Sequence, residues 1–385
     1  MNNRHRITLA AFLAYFLMSG MLAPIGIISA PMAAALEIPV TAATANFSWL
    51  TIGILIGAII ALFIFDLVAL RGVVITVSGA CLLALVSIRL RADAMTIRLA
   101  LGVIGVACGI GLAAAASAIS LCYAPRERAS MLVVTDGAFS VAGIACAALA
   151  SYVISHVWHW ATTYVALAGI AAIIVMLAAS SRYPAIDSAD TEAQDEPWPA
   201  AVWCCVAALF LYTLGQYAML WWLPNHLMAQ GVSASDAGSV VGRFWSGMFA
   251  AQILVAWWVL RTGARRMALL AAAGALAGSV PMWLVDHYAW LPSLAAVWGF
   301  TNFGLLKVVL SFATQQVTTP SSRLVSLMLL GATSGTAISP WLSSQIVAVS
   351  DTMTVLRFAS VCYLVMGVLL VIASGQDRTK GKEHE

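Results

Sequence analysis

The chain has 385 residues, 62% of them hydrophobic and only 9% charged, with 19 Lys and Arg against 16 Asp and Glu for a net charge of +3. A soluble domain carries about 25% charged residues, so this composition, with a mean hydropathy of +0.95, belongs to a polytopic membrane protein and excludes an ordinary soluble enzyme. The few charges are spread over loops and form no basic stripe of the kind nucleic acid requires.

In chain order, twelve stretches are long and apolar enough to cross about 30 Å of hydrocarbon as helices: 7–31, 46–65, 72–88, 97–121, 129–154, 160–180, 200–222, 237–260, 267–284, 290–313, 324–348 and 356–374. The first follows a basic N-terminus and could pass for a secretory signal, but its apolar run is too long for a signal core, and many spans follow. Gly20, Pro24, Gly26 and Pro31 make it bendable, which membranes tolerate where neighbouring helices or a wet cavity satisfy the backbone. Between the sixth and seventh spans lies the longest polar run before the C-terminus, with Asp187, Asp190, Glu192, Asp195 and Glu196. It reads as a solvated linker. The expected organisation is therefore an all-α protein with a six-helix bundle over 1–180, an acidic cytoplasmic linker over 181–199, and a second six-helix bundle with a short tail over 200–385.

Two short patterns recur at equivalent loops of the two halves. Pro125-x-x-Arg128 before the fifth span returns as Pro320-x-x-Arg323 before the eleventh, and Leu70-Arg71 after the second returns as Leu260-Arg261 after the eighth. Such repetition is the layout of many secondary transporters. With the N-terminus inside, the inner segments hold Arg4, Arg6, Arg71, Arg126, Arg128, Arg182, Arg261, Arg265, Arg266, Arg323, Arg378, Lys380 and Lys382. The outer side holds only Arg89, Arg91, Arg98 and Arg357. The positive-inside rule then puts both termini in the cytoplasm.

Ionisable residues inside spans are costly and usually mark pathways or proton relays. Asp136 is the one acid well inside a span, about 10 Å from the inner end of the fifth, and Lys307 lies about 9 Å from the inner end of the tenth. Arg243 sits about 9 Å below the outer surface on the eighth. It keeps its proton and offers a planar fork suited to a carboxylate. The plainer reading of Asp136 and Lys307 is a fixed ion pair, or for Lys307 a side chain snorkelling to the surface. The polar and aromatic neighbours include Tyr212, Gln216, Tyr217, Trp245 and Asn302; Tyr212 and Gln216 are four apart and share a helix face. Gln216 and Asn302 are read equally well as site-lining or as interhelical hydrogen bonding. Trp221 and Trp222, just before Pro224, read as interfacial anchors.

Other chemistries have no footing. No HExxH, P-loop or dinucleotide fingerprint occurs. Cys81, Cys108, Cys122, Cys146, Cys204, Cys205 and Cys362 show no metal or disulfide spacing and read as small buried hydrophobes. Ser334 among small residues finds no histidine partner, and His156 and His159 read as surface residues. The expectation is no catalytic residue, no metal and no cofactor, with energy drawn from an ion or substrate gradient.

Twelve spans in two related halves resemble the major facilitator superfamily, although its loop signature after the second span is reduced here to Asp66 and Arg71-Gly72. The chain is also similar to the TsgA-type branch, relatives of the fucose-type proton symporters. That resemblance rests on Arg6-Ile7 with Leu9, Gly53-Ile54-Leu55-Ile56, Thr135-Asp136, Phe139-Ser140 with Ala142-Gly143, Leu214-Gly215-Gln216, Asp236-Ala237-Gly238, Phe244-Trp245 and Gln315-Gln316. It implies a two-bundle, alternating-access transporter of a bacterial inner membrane, with its cavity between the halves. Asp136 and Gln216 match the branch's pattern; Arg243 and Lys307 depart from it. The expected function is monomeric secondary transport of a small, carboxylate-bearing solute. Asp136 is the proton-coupling residue and forms a gate pair with Lys307, while Arg243, Lys307, Gln216, Tyr212, Asn302 and Trp245 contact substrate. A proton-independent anion exchanger is the alternative, and a non-transporting sensor or scaffold the alternative from another class.

Overall fold

Long apolar runs have to satisfy their own backbone in hydrocarbon, and this chain does so entirely with helices. The computed structural model describes residues 2–90, 93–184, 198–285, 287–302, 304–317 and 322–382, and no strand occurs among them. The linker residues 185–197, Arg91 and Pro320 lie outside the described residues, as do the side chains of Arg126, Arg261, Arg378, Lys380 and Lys382.

The helices are α1 (Asn3–Leu22), α2 (Ile25–Leu36), α3 (Val40–Asn46), α4 (Ser48–Leu67), α5 (Leu70–Leu90), α6 (Ala94–Cys122), α7 (Pro125–Ser155) and α8 (Thr162–Ala179). They continue with α9 (Ala200–Ala229), α10 (Ala234–Thr262), α11 (Ala264–Ser279), α12 (Pro281–Leu284), α13 (Leu291–Asn302), α14 (Leu305–Thr314), α15 (Ser322–Val349) and α16 (Thr352–Lys382). Among the described residues 11 stretches are long and apolar enough to cross a membrane; α10, of 29 residues, stands where the eighth span is expected. Three expected spans are interrupted. The first breaks at Ala23–Pro24 and the ninth at Val280–Pro281, each where a proline has no N–H to give the preceding turn. The tenth breaks before Gly304, whose φ of +90° suits glycine and few other residues.

The chain divides into two compact units, one of Met1–Ala189 with Pro224–Gly242 and one of Asp190–Leu223 with Arg243–Glu385. The end of α9 and the start of α10 thus group with the first unit, where Gly238 lies against Ser151 and Ile27.

In each unit a helix pair is locked by glycine. In the first, Gly53 and Gly57 of α4 meet Gly105 and Gly109 of α6. A Cβ on Gly53 would stand 2.6 Å from the Gly102 carbonyl oxygen, and one on Gly105 would overlap that of Leu50. In the second, Gly247 of α10 meets the Ala296 carbonyl of α13, and Gly299 of α13 meets that of Phe244. Small residues that admit a neighbouring backbone are what hold helices together where lipid removes the hydrophobic drive. The pairs are the second and fourth spans of one half and the eighth and tenth of the other, so the repeat seen in the loops recurs in the packing.

At the N-terminal end of the first unit, cations close off α8. Arg71 donates to the carbonyls of Ala178 (3.3 Å) and Ala179, Arg6 donates to that of Ser180 (3.0 Å), and Asn3 exchanges two 2.8 Å bonds with Arg182. These are the orphan carbonyls of a helix C-terminus, where positive charge is favoured. Arg71 is largely exposed, so Arg71→Met is expected to cost about 1 kcal/mol or less, read as a small drop in melting temperature with helix content unchanged. A loss of folded protein would show a larger role.

Candidate functional site

In the first unit the chemistry gathers on α7. Asp136 is half-buried and lies one turn beyond Leu132, on the same face of the helix. Leu132, Met131 and Tyr15 all pack against the cluster of Ala11, Ala115 and Ile119 contributed by α1 and α6. Tyr15 of α1 stands within electrostatic reach of Asp136. The two are 12 and 11 residues from the starts of their helices, about 18 and 16 Å along them, so they meet at one depth. The neighbouring Thr135 is fully buried and donates back to the Met131 carbonyl at 2.7 Å. Asp136 is engaged, not isolated, and Tyr15 is a neighbour no spacing in the sequence announces.

In the second unit, Tyr212, Gln216, Trp245 and Asn302 are all buried. Gly215 lets α9 approach α16, since its Cβ would stand 2.9 Å from the Ala359 carbonyl oxygen. Asn302 ends α13 at the break, and its polar atoms are spoken for. Its Nδ2 donates to the Trp298 carbonyl at 2.7 Å, its Oδ1 accepts from the Tyr363 hydroxyl at 2.8 Å, and its carbonyl, freed by the break, accepts from the Tyr212 hydroxyl at 3.3 Å. Tyr212 and Asn302 therefore bind each other, with Tyr363 as a third member that the sequence did not single out. Rings of Phe244 and Trp298 (4.4 Å) and of Trp298 and Tyr363 (6.5 Å) extend the buried cluster, and Trp245 adjoins Phe244 at 5.4 Å. Tyr363→Phe would leave the Asn302 oxygen buried without a donor, an expected loss of about 1 to 3 kcal/mol, measured by thermal unfolding; no change would mean the bond is not formed.

Gln216 differs from this group. Only 3% of it is exposed, and its Oε1 accepts no hydrogen bond among the described residues. A buried acceptor left unmet is costly unless a ligand or water answers it.

The break at Gly304 also fixes Lys307. Gly304 caps α14, its carbonyl accepting from Val308 N at 2.6 Å, and Lys307 falls in the first turn. An ammonium there stands at the positive end of the helix dipole, unfavourable by about 0.3–1 kcal/mol unless an anion is close. Lys307 is half-buried and engaged. Arg243 of α10 is exposed.

One expectation is corrected. Trp221 and Trp222 are not surface anchors: both are 1% exposed, and the Trp222 indole donates to Ser343 Oγ at 2.9 Å. The reason is that α9 does not end before Pro224 but runs through it to Ala229, so both rings face helices. All seven cysteines carry free thiols, five of them buried.

A family model described as Major Facilitator Superfamily matches residues 7–340. Protein TsgA of Shigella boydii serotype 18 is 26% identical over 381 residues, spanning 96% of this chain and 94% of that protein. A TsgA homolog of Citrobacter koseri is 27% identical over 389 residues, spanning 96% and 95%. Among solved structures, a mutant of the nucleoside transporter NupG matches with a TM-score of 0.76 at 13% identity, over 97% of this chain and 100% of that one. A D-xylose-proton symporter matches with a TM-score of 0.73 at 15% identity, over 97% and 96%. At such identities the structural likeness shows the fold.

Proposed function

This chain belongs to the major facilitator superfamily of transporters, and from that premise we propose that it moves a small anionic solute by proton-coupled alternating access. Transport, not catalysis, is its function class, and it is a multi-pass membrane protein. We place it in a bacterial inner membrane with both termini in the cytoplasm, as a monomer of two six-helix halves.

The observation that carries the anionic reading is the break before Gly304, which sets Lys307 on the positive end of α14. Interrupted helices whose N-termini meet anionic groups are a recurring transporter device. In the proposed cycle the deprotonated Asp136 carboxylate pairs with Lys307. A proton on Asp136 releases the pair and favours the other state, since a ligand shifts an equilibrium only through its differing affinity for the two forms. Arg243 takes the solute's carboxylate as a fork. Gln216 offers its unmet acceptor to a hydroxyl or amine of the solute, and the walls are Tyr212, Asn302 and Trp245. The D-xylose-proton symporter is by name coupled to protons, in keeping with the reading.

A melting-point screen of purified protein against carboxylates, amino acids and sugars identifies the solute, because a ligand of the folded state stabilises it. With the best carboxylate, Lys307→Gln and Arg243→Gln are each expected to weaken binding about tenfold or more. Stabilisation by neutral sugars alone, untouched by either variant, would overturn the anionic assignment. The presence of two cations, Arg243 and Lys307, in the second unit also supports a proton-independent exchanger, which would show counterflow indifferent to pH and uncouplers.

A further inference from the structure

On the first unit, α4, α5 and α6 enclose a groove of about 410 Å³ whose lining includes Trp49, Thr76, Val77, Leu99, Val103 and Val106. The volume is that of a ligand pocket, yet the wall is almost wholly apolar, and Trp49, Leu99 and Val103 are exposed on it. A site of this composition on a bilayer-facing surface suits a hydrocarbon chain and not a polar solute.

Its end away from the N-terminus is different. Arg98, beside Leu99 on α6, donates through Nε to Asn46 Oδ1 at 2.8 Å, and Asn46 stands three residues before Trp49. That bond holds the guanidinium next to the groove-lining Leu99 in the chain, about 6 Å along α6 from its start, with no other bonded group on its terminal nitrogens among the described residues. Asn46 is 4% exposed, and its amide nitrogen has no acceptor among the described residues, so an unmet donor adjoins the guanidinium. One acid at this end, Asp93, is occupied by Thr96, accepting from its N at 2.9 Å and its Oγ1 at 2.6 Å. A tryptophan and a held cation at one level beside a hydrocarbon slot are the features of a membrane–water boundary.

We propose that this groove binds an anionic phospholipid, one acyl chain lying along Leu99, Val103 and Val106 and the phosphodiester held at Arg98 and Asn46. The guanidinium fork matches phosphate oxygens two at a time, and the slot gives the chain a fixed place where bulk lipid has none. The assignment does not depend on the transported solute or on the direction of transport.

Delipidated protein in detergent, titrated with phosphatidylglycerol or phosphatidylethanolamine and observed by native mass spectrometry, tests it. Wild type is expected to retain one phosphatidylglycerol, preferring it about fivefold, the effect of one cation near the surface. Glycerol phosphate, a headgroup without chains, should not displace it. Gly102→Leu fills the slot where a Cβ would meet nothing nearer than the Trp49 ring at 3.9 Å, and is expected to lose the retained lipid; Val103→Trp is the second filling variant, in case the first does not fold. Arg98→Gln should keep a lipid but lose the headgroup preference. Equal retention by wild type and a folded filling variant, a preference that survives Arg98→Gln, or displacement by glycerol phosphate would each overturn the proposal.

Discussion

Asp136→Asn is expected to abolish uphill, proton-driven accumulation of the solute, by about two orders of magnitude or more, while solute-for-solute exchange persists. The amide has nearly the shape of the protonated acid and never releases a proton, so it holds the switch in one charge state. Uphill movement needs both charge states in turn; exchange needs one. The size of the loss follows from what a switch has to do, since moving a population from mostly one state to mostly the other takes a differential affinity of several orders of magnitude. Uptake into proteoliposomes under an imposed pH gradient, beside counterflow with no gradient, separates the two. If both activities fell together, Asp136 would be a structural residue of the α1–α7 contact near Tyr15. If neither fell, the proton would be carried elsewhere.

The largest expected effect on stability is that of Gly105→Leu. The added Cβ would overlap the Leu50 carbonyl oxygen, and the next nearest groups are the Gly53 Cα and Ile54 N, at 2.9 Å each. All of these are backbone, so no side chain can swing aside, and α4 would have to separate from α6. Overfilling a packed site costs about 1 to 3 kcal/mol where rotamers can adjust, so a cost of at least about 3 kcal/mol is expected here. Gly102→Ala, one turn earlier on α6, is the control. Its Cβ meets only Trp49, at 3.9 Å, and its melting temperature should match or exceed wild type, because alanine favours helix over glycine. Equal melting of the Gly105→Leu protein and wild type would mean the two helices do not meet at these glycines.

Much of this architecture is legible in the sequence because hydrocarbon admits so few solutions. Apolar run length locates most helix ends to within a few residues, although α9 and α16 run well past their expected ends, and Pro24 announces the bend in the first span. The break in the tenth was not legible, since a glycine inside an apolar run signals helix packing more often than interruption. With it went the placement of Lys307 in a helix first turn and the release of the Asn302 carbonyl to Tyr212. The interlock of α4 and α6 was written in the chain as Gly53-x-x-x-Gly57 and Gly105-x-x-x-Gly109, a pattern with a known packing mechanism; only the pairing of the two helices required coordinates. Trp221 and Trp222 misled because Pro224 suggested a helix end, whereas the helix carries a proline in its interior. For the site, charge type and depth pointed to Asp136, Lys307 and Arg243. Tyr15 and Tyr363, however, reach their partners through tertiary contacts between helices far apart in the chain, and no local spacing encodes those.

The claim on which the account rests is that solute movement and proton movement pass through Asp136 together. A pH-sensitive dye trapped in the lumen of proteoliposomes tests it most directly, with the carboxylate found by the melting-point screen added outside. The lumen is expected to acidify as solute enters, and the Asp136→Asn protein is expected to give no acidification although it still exchanges solute. Solute entry through wild type with a constant lumenal pH, or acidification undiminished in the Asp136→Asn protein, would contradict it.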